Sequence, residues 1–373
     1  MICKIAFALL LACDHVASAA HIHLPIERVA TFRRSRINHT LTTSGRRRLL
    51  ARNHATIPVT TELSGQIDLG YYVMLSIGTP AQQLPILLDS GSADFQVQIY
   101  GNGFQTQQSS TFQDSGAPFQ IQYASGSASG TTVTDVVALG PFSVAQQAFG
   151  AITSTSEIVT PAVGILGLGF EAISSNQQMP WAQNLIPQLD QPLMAFYFSR
   201  TQGGSTFSLG ATDQSHYSGE IEWVPVTQAA WWQIEASSIS VNGQIAVESS
   251  IKCIIDTGSS YAYTTPEIAA AIYAQIEGSQ ALDSPELPQG SYSIPCDYSG
   301  VISLSFGTLQ VSFNPQDLNI GSSGTGACVG GIIGEDLIGG GFLLGDVFIK
   351  AAYLVLAFQG PGGPPAVGFA KPR

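Results

Sequence analysis

Apolar and polar residues alternate through much of the chain beyond residue 55. Ile302, Leu304 and Phe306 are separated by Ser303 and Ser305, Gly307-Thr308 offers a turn, and Leu309, Val311 and Phe313 alternate on the way back. A period of two sends every second side chain to the same face, so this segment predicts a hairpin with one buried face. Tyr71, Val73, Leu75 and Ile77 follow the same rule ahead of Gly78-Thr79-Pro80. Helical periodicity is rare. Its clearest case is Pro266 to Glu277, where Ile268, Ile272 and Ile276 share a face, Thr265 is placed as N-cap and Gly278 as stop. These elements predict an all-β protein with few short helices.

One stretch interrupts the alternation. LLDSGSA (Leu87–Ala93) delivers an aspartate from an apolar strand straight into a Ser-Gly turn, and IIDTGSS (Ile254–Ser260) does so again 167 residues later. Each copy is followed by an apolar-apolar-Gly strand: Ile165-Leu166-Gly167 after the first, Leu343-Leu344-Gly345 after the second. Asp-Ser/Thr-Gly alone is ordinary turn chemistry. The apolar pair before each aspartate changes that, because it draws the loop inward, where an unpaired charge is costly. Two related lobes facing each other would bring Asp89 and Asp256 together. Two carboxylates sharing a buried site retain one proton between them. Such a pair holds both a base to activate water and an acid to protonate a carbonyl oxygen, and it titrates as a unit.

Composition narrows the setting. The 373 residues are 45% hydrophobic and 11% charged, with 39 Gly, and no apolar run reaches the roughly 20 residues of a membrane span. Residues 1–20 read as a secretory signal: Lys4, an apolar core from Ile5 to Ala12, then Ala17-Ser18-Ala19 as cleavage site. From His21 to His54 eight Arg face the single acid Glu27, whereas from Ala55 onward five Lys and Arg face 24 Asp and Glu. A basic block behind a signal predicts a removable pro-segment over residues 21–54, with Arg46-Arg47-Arg48 and Arg52 as processing sites. Near neutrality its arginines would pair with carboxylates of the body, and acid would release them. An acidic body argues against nucleic acid as a partner, and it limits positive self-repulsion at low pH. Three cysteines follow the signal; Cys296 and Cys328 could bridge, leaving Cys253 as a thiol in an apolar strand.

With these motifs in view, the chain from about Thr56 to Arg373 resembles pepsin-type aspartic endopeptidases, and secreted fungal ones most. IQYASGSASG (Ile121–Gly130) is similar to the family's flap hairpin, and GSTFSLGATD (Gly204–Asp213), IEWVPV (Ile221–Val226) and WWQIEASSISVNG (Trp231–Gly243) to its crossing between lobes. The resemblance implies a bilobal fold with pseudo-two-fold symmetry, residues 55–220 forming one lobe and 221–373 the other. It implies Asp89 and Asp256 as the catalytic pair, Ser90 and Thr257 interlocking their loops, and Gly91 and Gly258 allowing close backbone approach. Tyr123 would close over substrate with Ser125 and Gly126 at the flap tip. Leu87, Ile165 and Tyr123 would line the pocket for the residue before the scissile bond, favouring bulky apolar side chains. Cys296 and Cys328 occupy the positions of the family's C-terminal disulfide. Two departures stand out: Ala93 replaces a customary Ser, removing a hydroxyl behind Asp89, and Gln96 replaces the Trp that commonly bonds the flap tyrosine.

The expected activity is hydrolysis of proteins and peptides by a monomer with no cofactor and no metal, secreted, with a vacuolar destination as the alternative. A pepsin-like protein that binds without cutting is the rival reading, disfavoured because both aspartate loops and Tyr123 are intact. Serine or zinc hydrolysis fits poorly. His216 is the one histidine after residue 54, and no Gly-x-Ser-x-Gly elbow occurs.

Overall fold

The computed structural model describes residues 53–64, 67–123, 126–156, 162–285, 287–324 and 326–373. The expected signal, the basic segment 21–52 and Ser125 lie outside them. Strands dominate, and they assemble into two large sheets, one for each half of the sequence, joined by a third sheet that draws on both.

The sheet of the first half has eight strands: Thr60–Ser64, Ile67–Ile77, Gln82–Asp89, Gly164–Gly167, Phe95–Gln98, Phe142–Thr155, Ser127–Leu139 and Gln113–Gln122, in spatial order. Tyr71, Val73, Leu75 and Ile77 all point into its core, as their alternation predicts. The sheet of the second half runs through Leu309–Ser312, Ile302–Phe306, Trp232–Val241, Gln244–Ile255, Phe342–Leu344, Ala262–Thr264 and Ile332–Ile333, with Gln228–Ala229 attached to Trp232–Val241. The predicted hairpin is present here, with Leu304 opposite Val311 and Phe306 opposite Leu309.

At the heart of each sheet the same construction appears. Gln82–Asp89 lies parallel to Gly164–Gly167, which in turn lies antiparallel to Phe95–Gln98. In the second half Gln244–Ile255 lies parallel to Phe342–Leu344, which lies antiparallel to Ala262–Thr264. The repeated apolar-apolar-Gly segments are therefore the central strands on which both aspartate loops rest. Buried on both faces, these strands read as continuous apolar runs.

A six-stranded sheet joins the halves in the order Ala55–Pro58, Thr206–Leu209, Leu193–Tyr197, Tyr353–Ala357, Ala366–Pro372, Tyr217–Pro225. Leu193–Tyr197 pairs directly with Tyr353–Ala357 near the far end of the chain. Trp232, fully buried, packs at a tilt against Phe170 and Phe358 and donates its indole N–H to the Leu168 carbonyl at 2.9 Å. Arg200 adds an ion pair to Asp317, which Lys350 also approaches at 3.5 Å.

The helix at Pro266 forms as expected, its Ile268 N–H capped by the Thr265 hydroxyl at 3.3 Å, but it ends at Tyr273, short of Glu277. Gln275 and Ile276 instead donate to the carbonyls three residues back. This tighter winding still carries Ile276 into the core before Gly278 turns the chain at φ +81°. Cys296 and Cys328 form a disulfide beside a small sheet of Ser293–Ile294, Cys328–Gly330 and Asn319–Ser322. Cys253 is a buried free thiol. No helix among the described residues is long and apolar enough to cross a membrane.

The disulfide closes a loop of 32 residues. Replacing both cysteines by alanine is expected to cost about 3–4 kcal/mol on the chain-entropy relation, read as a lowered denaturant midpoint with a steeper slope, since the freed unfolded chain exposes more surface.

Candidate active site

Asp89 ends one central strand and Asp256 follows the other, and both carboxyls are fully buried. What sets them face to face is a reciprocal set of hydrogen bonds between the loops. Ser90 N–H donates to Thr257 Oγ1, and Thr257 N–H donates to Ser90 Oγ, both at 3.0 Å. Each hydroxyl then donates onward across the boundary, Ser90 to the Ile255 carbonyl and Thr257 to the Leu88 carbonyl, both at 2.9 Å. The four bonds obey a two-fold relation. They also satisfy two backbone N–H groups that burial would otherwise strand.

Within each loop the carboxylate is held in the same way. Gly91 N–H donates to Asp89 Oδ1 and Gly258 N–H to Asp256 Oδ1, both at 2.9 Å. Ser92 donates its hydroxyl to Asp89 Oδ2, and Ser259 donates to Asp256 Oδ2 at 2.5 Å. Glycine is required at 91 and 258 by the opposite loop. A Cβ on Gly91 would meet Asp256 Oδ1 at 2.5 Å, and one on Gly258 would meet Asp89 Oδ1 at 2.6 Å. Each carboxyl thus packs against the glycine of the other half's loop.

Burial and this proximity fix the charge state. Loss of hydration lifts the Asp89 pKa well above the ordinary carboxylate range, and the neighbouring Asp256 charge lifts it further. Asp256 is raised too, chiefly by burial, although bonds from Ser259, Asp89, Gly258 and Gly91 favour its ionised form. The pair accordingly keeps a proton to higher pH than free carboxyls do.

The flap hairpin pairs Gln113–Gln122 with Ser127–Leu139, and Tyr123 and Gly126 face each other at its end through a 2.7 Å bond from Tyr123 N–H to the Gly126 carbonyl. Tyr123 is buried, and its phenol stays neutral because burial and the charges of Asp89 and Asp94 oppose ionisation. Gln96 donates its amide N–H to the Tyr123 hydroxyl. Leu87, Ile165 and Tyr123 join Phe119, Ile121 and Ile152 in an apolar cluster distinct from the main core.

Ser92 and Ser259 escaped notice in the sequence, where a serine beside glycine reads as loop composition. Their signal is the shared spacing, three residues after each aspartate. The hydroxyl that bonds Asp89 Oδ2 comes from Ser92, while Ala93 is a buried methyl beside it. Asp94, the next buried acid, is held by the backbone N–H and hydroxyl of Ser175 and the hydroxyl of Ser174. Among the described residues no group of three or more His, Cys, Asp or Glu is placed to hold a metal ion.

The fold repeats one construction around two buried carboxyls, and comparison with known proteins gives its class. Residues 70–371 match the family model for eukaryotic aspartyl protease. The chain is 32% identical to the major aspartyl peptidase 1 of Cryptococcus neoformans var. grubii, an alignment covering 82% of this chain and 69% of that protein. It is 31% identical to cathepsin D of Gallus gallus, over 84% of this chain and 83% of that one. With an aspartic protease of Phaffia rhodozyma it shares 36% identity over 70% of this chain and 65% of the relative. The protein belongs to the eukaryotic aspartyl protease family and is an aspartic-type endopeptidase.

The interlock makes a directional prediction. Thr257→Val removes the donor to the Leu88 carbonyl and strands the Ser90 N–H, so it should destabilise by about 2–4 kcal/mol. Thr257→Ser keeps every bond and should stay within about 1 kcal/mol of the parent. Urea unfolding of the two variants checks this.

Proposed function

We propose that the protein is a secreted acid endopeptidase in which Asp89 and Asp256 activate one water molecule and which prefers bulky apolar residues around the scissile bond. The observation that carries this reading is the pair itself: two fully buried carboxyls, one from each half of the chain, each lying against the glycine of the opposite loop. In the reaction so read, the ionised carboxylate takes a proton from water as its oxygen adds to the peptide carbonyl carbon. The protonated carboxyl gives its proton to the carbonyl oxygen. Collapse of the tetrahedral adduct breaks the C–N bond: the leaving nitrogen takes a proton from the pair while a diol hydroxyl gives one back, so the pair again holds a single proton. Since either aspartate can hold the proton, the roles belong to the dyad rather than to one residue.

Leu87, Ile165 and Tyr123 form the pocket for the side chain before the scissile bond, and their apolar surface supports the preference for large apolar groups there. The flap, with Tyr123 paired to Gly126 at its end, closes over bound peptide and keeps bulk water from the dyad. The apolar leader and the basic block that follows it support export as a zymogen, with a vacuolar destination as the variant of that route. Substrates are proteins and peptides, and the enzyme works as a monomer.

Activity should vanish when the dyad is broken. Asp256→Asn is expected to lower kcat by a hundredfold or more, by about the general acid–base contribution, on denatured haemoglobin at acid pH, and pepstatin should abolish the parent's cleavage. Full-rate digestion by Asp256→Asn would refute the assignment.

The raised carboxyl pKa values also predict how stability depends on pH. Folded Asp89 binds its proton more tightly than the unfolded residue does. Between the ordinary carboxylate range and the raised value, the folded state therefore holds more protons, and stability falls as pH rises through that interval. Asp89→Asn removes the titration. The variant should gain stability over the parent near neutrality, and the gain should close on acidification below the ordinary carboxylate range. Thermal unfolding across pH measures the crossing.

A further inference from the structure

The strand Phe95–Gln98 places Phe95 and Val97 in the main core, so Gln96 lies on the opposite face. Strand register identifies its neighbours there. Gln96 is directly opposite Ile165, and Ile165 is directly opposite Leu87. The three residues form one row across three adjacent strands. Asp89, two residues beyond Leu87, begins the next row on the same face. Rows two residues apart are about 7 Å from each other, and Gln96 stands two strand spacings, about 10 Å, from Leu87. Gln96 thus ends the row that starts at Leu87; it is sealed against the Tyr123 hydroxyl in the free protein and becomes the far wall for a substrate side chain once bound peptide opens the packing over it.

Gln96 is the polar member of this otherwise apolar wall, and it is only half satisfied. It has no solvent exposure, its Nε2 donates to the Tyr123 hydroxyl, and its Oε1 is buried with no hydrogen-bond partner. Turning the amide end for end would strand its NH2 group instead, so one polar end lies unpaired in either orientation. A stranded buried polar atom carries a desolvation cost that a suitable ligand atom relieves.

We propose that Gln96 is a specificity-determining residue, which makes the pocket before the scissile bond favour a side chain with an aromatic body and a hydroxyl at its far end: tyrosine over phenylalanine. This rests on the proteolytic reading of the pocket given above. The ring of either residue covers Leu87 and Ile165 equally well. Only the phenol reaches the unpaired end of the amide, and because a hydroxyl both donates and accepts, it serves whichever end is free. Phenylalanine fills the same space and leaves the amide stranded. One additional hydrogen bond corresponds to a preference of about fivefold to tenfold in kcat/KM.

The test is an internal competition. Peptides identical except for Tyr, Phe or p-methylphenylalanine before the scissile bond are mixed in one tube with the activated full-length enzyme at acid pH. Tyr peptide is expected to be consumed about fivefold faster or more than Phe peptide, with the methyl analogue no better than Phe. Gln96→Leu should abolish or reverse the order. Because the peptides compete for the same molecules, the ratio is independent of how much variant is folded. Equal or faster consumption of Phe peptide by the parent overturns the proposal, as does a Tyr preference undiminished in Gln96→Leu. If no peptide is cut, the proteolytic reading fails and the selectivity is read from equilibrium binding of the same labelled peptides. Tyr peptide bound no more tightly than Phe peptide then overturns the proposal on its own terms.

Discussion

Two carboxyls buried against each other are an electrostatic burden on the fold, and what makes the arrangement tenable is the interlock of Ser90 with Thr257. Each hydroxyl accepts from one backbone N–H of the opposite loop and donates to one carbonyl beyond it. Two buried N–H groups and two carbonyls are paired in this way, and the loops cannot slide without breaking all four bonds at once. The glycines complete the constraint from the other side, because any side chain at 91 or 258 would occupy the carboxyl's own space. The site is therefore fixed by backbone contacts rather than by long side chains, which keeps its geometry insensitive to side-chain motion.

The symmetry of the dyad is matched by the symmetry beneath it. In both halves the aspartate strand runs parallel to an apolar-apolar-Gly strand that is itself wedged against an antiparallel neighbour. The environments then diverge. Asp89 has Tyr123 over it and the Leu87–Ile165–Gln96 row alongside, whereas Asp256 adjoins the part of the sheet carrying Tyr261 and Tyr263. A symmetric chemical pair thus serves an asymmetric cleft, as a peptide with direction requires.

Much of this was legible in the sequence because its signals are local. Alternation from Tyr71 to Ile77, the hairpin around Gly307-Thr308 and the cap at Thr265 each follow from neighbours a few residues apart. The repeated aspartate loops were legible because two copies of an unusual pattern constrain one another. The six-stranded sheet was not, since its pairings join Ala55–Pro58 to Thr206–Leu209 and Leu193–Tyr197 to Tyr353–Ala357, segments with no mark of their partners. Ser92 and Ser259 were missed for a different reason. Their role depends on where a hydroxyl points, and composition carries no direction. The unpaired oxygen of Gln96 is of the same kind, because a residue type states that an amide is present and only packing states which end lacks company.

The crossing between the loops also governs when the protein becomes dangerous. Its bonds join residues 167 positions apart, so they form only after both halves have folded and docked. A nascent or partly unfolded copy holds two separate aspartates in two unfinished turns, neither able to cut alone. For an endopeptidase working as proposed, this delays the first cut until its own backbone has folded.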